Sequence, residues 1–124
     1  RALTGGEGVD VVYDSVGADT LMVSLGCLAR RGMLVSFGQS SGKPPAIEVG
    51  QLAAGGSLFL TRPSLFDYIA TVEELKSAAA AVFEVVRQGR LNVRIGQRLP
   101  LADAATAHRA LESRQSTGST ILTV

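Results

Sequence analysis

Apolar residues in the first third of the chain form two short runs, separated by a segment with helical spacing. Residues 9–13 are rich in β-branched side chains and predict a strand. Residues 33–37 are nearly continuous in apolar side chains and predict a second strand, of the kind found in parallel sheets covered on both faces. Between them, Leu21, Leu25 and Leu28 recur on one face of a helix. A strand–helix–strand unit of this length requires parallel pairing and a right-handed crossover.

The flanking residues predict where this first helix begins and ends. Asp19 is the predicted N-cap, and the helix is predicted to continue to about Arg30. Arg30 and Arg31 suit the negative end of the helix dipole. Gly32 is expected in the left-handed conformation with which many helices end.

The strongest helical pattern lies in the second half of the chain. Thr71 and Glu74 form a capping box, which begins a helix predicted for residues 71–88. Its predicted buried face consists of Val72, Leu75, Ala79, Val82, Phe83 and Val86. The other predicted elements are a helix at residues 49–54, a strand at 57–61, irregular structure at 62–70, a strand at 93–99, a helix at 103–114 and a strand at 119–124.

Composition narrows the classes of function. The 124 residues suit one domain, and a net charge of +1 gives no field for nucleic acid or anionic lipid. Charged residues make up only 19% of the chain, which suggests surface covered by other protein. No apolar run approaches the length of a membrane span. The single cysteine fits a reducing compartment, so a cytoplasmic location is expected. Because the first residue is Arg1 rather than Met, we expect that the natural start has been removed.

Small polar residues follow each of the three predicted parallel strands, at residues 14–17, 38–41 and 62–64. Ligands of parallel α/β sheets bind beyond the carboxyl ends of the strands. The three segments are therefore expected to line one rim of the sheet and to bind a ligand there. Many nucleotide-binding α/β proteins share this arrangement, including methyltransferases that bind S-adenosylmethionine.

Several chemically capable side chains also have ordinary structural interpretations. Asp14 could bind ribose hydroxyls or cap the turn that follows it, and the turn is the favoured role. Cys27 is predicted to be a core residue, and His108 a half-buried structural histidine. Asp103 is predicted to cap a helix. One histidine and one cysteine cannot build a zinc site, so no metal site is predicted.

Four segments together resemble a known family: VVYDSVG, RRGMLVSFGQSSG, GSLFLTRPSL and LESRQSTGSTIL. They resemble the quinone oxidoreductase branch of the medium-chain dehydrogenase/reductase superfamily, over essentially the whole chain. The resemblance implies an α/β fold, the second half of a Rossmann-type doubly wound parallel sheet plus a carboxyl-terminal return segment. Residues 1–90 would be the partial dinucleotide-binding domain, and residues 91–124 the segment that returns to a catalytic domain. The strand at residues 9–13 would then lie at a free edge, because its partner in such a sheet would lie upstream.

The resemblance also implies a function and a set of site residues. The function is zinc-independent transfer of hydride from NADPH to a quinone or related conjugated carbonyl. NADH is the alternative cofactor, since contacts with the 2′-phosphate would lie upstream. No catalytic side chain is assigned. The implied cofactor-binding residues are Ser15 on the adenosine and phosphate side, Phe37, Gly38, Gln39 and Ser40 at the nicotinamide half, Arg62, Pro63 and Ser64 at the nicotinamide and substrate end, and Arg114 near the phosphates.

The last expectations concern the oligomeric state and the activity of the chain. In the superfamily the last strand of the sheet commonly pairs with its counterpart across a two-fold axis, so a homodimer is expected through the strand from Ser57 to Thr61. The 124-residue chain alone is expected to be inactive. The alternatives are a non-catalytic dimerisation module, an enoyl or enone reductase of the same superfamily, and a methyltransferase-like Rossmann piece.

Overall fold

The computed structural model describes all 124 residues, which form two compact units, Arg1–Ala70 and Thr71–Val124. The first unit contains the strands β1 (Val9–Asp14), β2 (Leu28–Ser36) and β3 (Phe59–Thr61) and the helices α1 (Leu21–Cys27), α2 (Val49–Ala54) and α3 (Leu65–Tyr68). The second contains α4 (Val72–Arg87), β4 (Ile95–Pro100), α5 (Ala104–Glu112) and β5 (Ser119–Thr123). The predicted boundary at residue 90 concerns the domains of a longer protein and stays a prediction.

The first unit is a parallel three-stranded sheet in the order β1-β2-β3. In register, Val12 pairs with Leu34, which pairs with Leu60. The predicted parallel α/β arrangement is therefore confirmed, and β1 lies at the expected free edge. Apolar side chains on β1 remain exposed, among them Val11 and Tyr13.

The core of this unit is small and built from leucines. Leu28 and Leu34 are completely buried, and they pack with Leu21 and Leu25 of α1 and with Leu58. Three of these leucines occupy the helically spaced positions that predicted the buried face. Leu21 and Leu25 of the helix therefore cover one face of the sheet as expected, whereas Leu28 joins the same core from β2.

The predicted end of α1 is wrong. The helix stops at Cys27, and Leu28 already belongs to β2, where it pairs with Val9. The register then shifts, and Arg31 takes the left-handed conformation (φ 63°) that was expected of Gly32. The Arg31 amide donates to the carbonyl of Gly56 at 2.8 Å, so a contact distant in sequence holds this segment. Burial of Leu28 in the sheet thus outweighs its helical preference.

In the second unit, β4 and β5 pair in parallel, and α5 lies between them in sequence and packs against β4. The capping box of α4 is confirmed, since Thr71 and Glu74 bond each other's backbone amides. Its predicted buried face is not, because no residue of α4 is buried and Phe83 is 71% exposed. No helix of the chain combines the length and the apolar character needed to cross a membrane.

Candidate functional site

The loops that follow β1 and β2 are joined into one rim by backbone hydrogen bonds. The amides of Phe37 and Gly38 both donate to the carbonyl of Asp14. Farther along, Ser40 donates to the carbonyl of Ser15, and Ser41 donates to that of Val16 at 2.9 Å. The convergence predicted from the sequence therefore exists, and it brings Ser15, Gly38 and Ser40 together.

Two glycines make this close approach possible. A Cβ on Gly38 would overlap the carbonyl oxygen of Ser15 and lie 2.8 Å from its Cα. Gly17 has a φ of 91°, and a Cβ there would lie 2.9 Å from the Cα of Gln39. A side chain at either position would separate the loops, so these glycines keep the rim narrow.

Asp14 organises the first of these loops from a buried position. Its carboxylate accepts hydrogen bonds from the amides of Val16 and Gly17 at 2.9 and 3.0 Å. It also accepts from the hydroxyls of Thr20 at 2.8 Å and Ser24 at 2.7 Å. Burial raises the pKa of Asp14, but these hydrogen bonds outweigh it and hold the pKa at about 2. Asp14 therefore has the turn-capping role favoured above.

Asp14 also holds the residue that begins α1. The N-cap residue is Thr20 rather than Asp19, and Thr20 directs its hydroxyl to Asp14 instead of to the helix amides. Asp103 does occupy the N-cap position of α5, but its side chain caps no amide. The buried acid thus fixes both the loop and the start of α1 from one position.

The third predicted segment meets the second at a cavity beyond the strand ends. Phe37, Arg62, Pro63 and Ser64 line it together with Leu65 and Phe66, and its volume is about 430 Å³. We call this the rim cavity. The Phe37 ring is half exposed there, and the Arg62 guanidinium donates to the carbonyl of Pro63 at 3.2 Å. Four of the predicted cofactor-binding residues therefore share one cavity.

A second cavity, of about 360 Å³, lies in the same unit, and we call it the cationic cavity. Gln39 and Arg62 of the predicted site line it, with Leu21, Ser36, Lys43 and Leu60 among the other wall residues. Sequence reasoning missed Ser36 and Lys43. Ser36 was hidden inside an apolar strand pattern, whereas the basic charge of Lys43 in a loop of prolines was a visible signal.

Three further candidate residues are Cys27 in the first unit and His108 and Arg114 in the second. Arg114 belongs to the second unit, where it takes a left-handed conformation (φ 57°) just after α5. Cys27 is half-buried, so the core position predicted for it is confirmed only in part. His108 is exposed, so its predicted half-buried position is wrong; it borders a cavity of about 160 Å³ with Leu111 and Leu122.

Comparison with known proteins identifies the fold and the family. The sequence family described as "Zinc-binding dehydrogenase" matches residues 1–122. Quinone oxidoreductase 1 of Escherichia coli is 49% identical over an alignment 124 residues long that covers 98% of this chain and 38% of that protein. A 2-haloacrylate reductase of Burkholderia sp. is 44% identical over 123 residues, 98% of this chain and 37% of that protein. The chain thus spans little more than a third of the length of these relatives and corresponds to their carboxyl-terminal part.

A solved structure carries the same arrangement. The mycobacterial protein Rv1454c, solved in complex with NADPH, matches with a TM-score of 0.91 and 48% identity, over 100% of this chain and 38% of that one. The predicted fold, part of a Rossmann-type sheet with a return segment, is confirmed.

The residues of this chain do not fit the metal in the family's description. No group of three or more His, Cys, Asp or Glu side chains lies together anywhere in the 124 residues. A zinc site needs three or four such ligands.

The family model matches nearly all residues of the chain, and close to half of the residues are identical in a quinone oxidoreductase. The chain therefore belongs to the zinc-binding dehydrogenase family and, within the medium-chain dehydrogenase/reductase superfamily, to the quinone oxidoreductase branch.

Proposed function

We propose that this chain supplies the nicotinamide side of the cofactor site in an NADPH-dependent reductase of quinones or related conjugated carbonyls. The observation that carries the proposal is the rim, where the loops after β1 and β2 are hydrogen-bonded to each other and the segments after β2 and β3 meet at a cavity lined by Phe37, Arg62 and Ser64. In open parallel sheets this is where dinucleotides bind. The solved relative that holds NADPH, and the names of the curated relatives, support the same assignment.

The residues of the rim fit a dinucleotide. Gly38 leaves no side chain between the two loops, so their backbones lie in contact and present one continuous rim to a ligand. Phe37 and Pro63 would give the nicotinamide half an apolar wall, and Ser64 a hydroxyl. Arg62 carries a positive charge to the same cavity. We assign the remaining contacts with the cofactor to Ser15, Gln39 and Ser40, and the contact with its phosphates to Arg114.

The chemistry divides simply between cofactor and protein. Bound NADPH supplies the hydride. This chain binds and orients the cofactor, and we assign no catalytic side chain and no metal to it. The reaction is proposed to be zinc-independent, as the resemblance to the quinone oxidoreductase branch implies. The names of the relatives include both quinones and 2-haloacrylate, so the proposed acceptor class is the conjugated carbonyl compounds. The location proposed is the cytoplasm, on the evidence of the single cysteine.

The test is NADPH binding, followed by NADPH fluorescence, because the chain contains no tryptophan to interfere. The 124-residue chain is expected to change NADPH emission saturably, and Arg62→Ala and Phe37→Ala to weaken binding about fivefold or more. Arg30→Ala is the matched control, an exposed arginine of the same unit away from the rim. Absence of binding at millimolar NADPH would overturn the proposal and favour a non-catalytic dimerisation module. Equal affinities of Arg62→Ala and the unaltered chain would overturn the role of the rim cavity.

We also propose that two copies pair through the strand from Ser57 to Thr61. Its regular part, β3, lies at an edge of the sheet, and Phe59 and Leu60 are 56% and 40% exposed there. An exposed apolar edge strand is a template for pairing with another strand. Light scattering after size exclusion is expected to give a dimer mass for the chain. The variant Phe59→Lys should give a monomer, and Val23→Lys, on the exposed face of α1, should leave the dimer intact. A monomer for the unaltered chain contradicts this.

A further inference from the structure

The cationic cavity has structural features that the proposed nicotinamide site does not explain. Its volume of about 360 Å³ lies within the range of small-molecule sites. Leu21, Ile47 and Leu60 give it an apolar wall. The cavity lies on the side of the sheet that carries α1, since Leu21 belongs to that helix.

The charges at this cavity all have one sign. Lys43 and Arg62 are its only ionisable wall residues, and both are basic. Neither has a carboxylate within ion-pair distance, because the one salt bridge of the chain joins Glu84 and Arg87. Two unpaired cations beside an apolar wall favour a ligand that has an anionic head and an apolar body.

An independent observation comes from Ser36 at the end of β2. Ser36 is a wall residue of this cavity, it is 4% exposed, and its hydroxyl has no hydrogen-bond partner. A buried hydroxyl without a partner is unfavourable, and native proteins contain few of them. A ligand with an acceptor oxygen would supply the missing partner.

We propose that the cationic cavity binds a small organic monocarboxylate, with its apolar body against Leu21, Ile47 and Leu60. The carboxylate pairs with Lys43 and Arg62 and accepts the hydrogen bond of the Ser36 hydroxyl. Inorganic phosphate has the charge but no apolar part to bury, so the apolar wall favours the organic acid. This site shares Arg62 with the rim cavity but goes beyond the proposed function, and its occupancy needs no NADPH.

The experiment uses the 124-residue chain with labelled isoleucine methyl groups, observed by NMR without NADPH. The probe is trans-cinnamate, its neutral comparison is cinnamamide, and inorganic phosphate is the third arm. We expect a saturable shift of the Ile47 methyl with cinnamate and an affinity about tenfold weaker with cinnamamide. Equal affinities of acid and amide, no shift at Ile47, or phosphate that saturates the same shift at the same concentration would overturn the proposal.

Variants separate this site from the nicotinamide site and from general charge. Lys43→Ala should weaken cinnamate about fivefold and leave NADPH affinity within about twofold. Lys76→Ala, which removes the other lysine of the chain from α4 in the second unit, should change neither. Since Lys43 is exposed, its variant is expected to fold, and dispersed methyl signals confirm this. Cinnamate affinity unchanged in Lys43→Ala contradicts the site, whatever the result with NADPH.

Discussion

Replacement of Asp14 by asparagine tests how the rim is held together. The carboxylate is 4% exposed and accepts hydrogen bonds from two loop amides and from the hydroxyls of Thr20 and Ser24. Asp14→Asn keeps the size of the side chain and removes its charge. It also replaces one acceptor oxygen by an amide group that cannot accept, so at least one donor loses its partner.

The magnitude follows from the pKa. These hydrogen bonds lower the pKa of Asp14 from 3.8 to about 2, and each unit is worth ~1.4 kcal/mol, so the charged form contributes about 2 kcal/mol to the free energy of unfolding. Because the pKa in the folded state is the lower one, this contribution is complete above the unfolded pKa. It is lost as the pH falls from about 4 through 2.

The assay is urea unfolding, followed by circular dichroism at pH 7, 4 and below 3, for the unaltered chain and Asp14→Asn. We expect the variant to be less stable by about 2 kcal/mol at pH 7, with the difference shrinking toward the acid end. Asp19→Asn, an exposed acid in the same loop, should stay within ~0.5 kcal/mol throughout. A difference below ~0.5 kcal/mol at pH 7, or one that does not change with pH, would refute the reasoning.

The remaining predictions concern the core, the rim and a cap. Leu34→Ala empties a completely buried position and should lower the free energy of unfolding by about 2–5 kcal/mol, whereas the fully exposed Leu3→Ala should change it by less than ~0.5 kcal/mol; similar urea midpoints for the two would contradict this. Gly38→Ala presses a methyl group into the facing serine backbone and should cost about 1–3 kcal/mol, measured as a lower thermal midpoint; an unchanged midpoint would mean that the loops are not in contact. Thr71→Ala removes the cap of α4 and should speed amide exchange in its first turn, equivalent to about 1 kcal/mol, while Asp103→Ala, which removes no cap bond, should leave α5 unchanged. Equal effects in the two helices would rule out the cap as the cause.

Local periodicity was sufficient to predict the elements whose partners are close in sequence. Helix α2, at Val49–Ala54, has the predicted bounds, and the pairing of β1 with β2 is as expected. The start of β2 could not be predicted, because Leu28 completes the helical pattern of α1. Its place in the strand is set by Val9 and by the Arg31–Gly56 hydrogen bond.

For the site, the direction of the strands predicted more of the arrangement than the chemistry of the individual side chains did. Parallel strands bring their carboxyl ends to one edge, so the meeting of Ser15 with Gly38, and of Phe37 with the Arg62 segment, followed from strand direction alone. Side-chain partners followed only in part. Asp14 caps the turn as favoured, but Thr20 rather than Asp19 is the N-cap of α1, and the Thr20 hydroxyl donates to Asp14. For α4, an amphipathic pattern shows that one face is apolar but does not show what covers it.

The unpaired side of β1 has a practical consequence for work with the 124-residue chain alone. Its outer backbone groups can form hydrogen bonds with an extended segment of another molecule, and the exposed Val11 and Tyr13 side chains can pack against that segment. Storage at high concentration will therefore promote stacking of molecules through this side, independent of nucleotide. A short synthetic peptide that pairs with β1 and carries lysines at its own outer edge should prevent this association in concentrated samples.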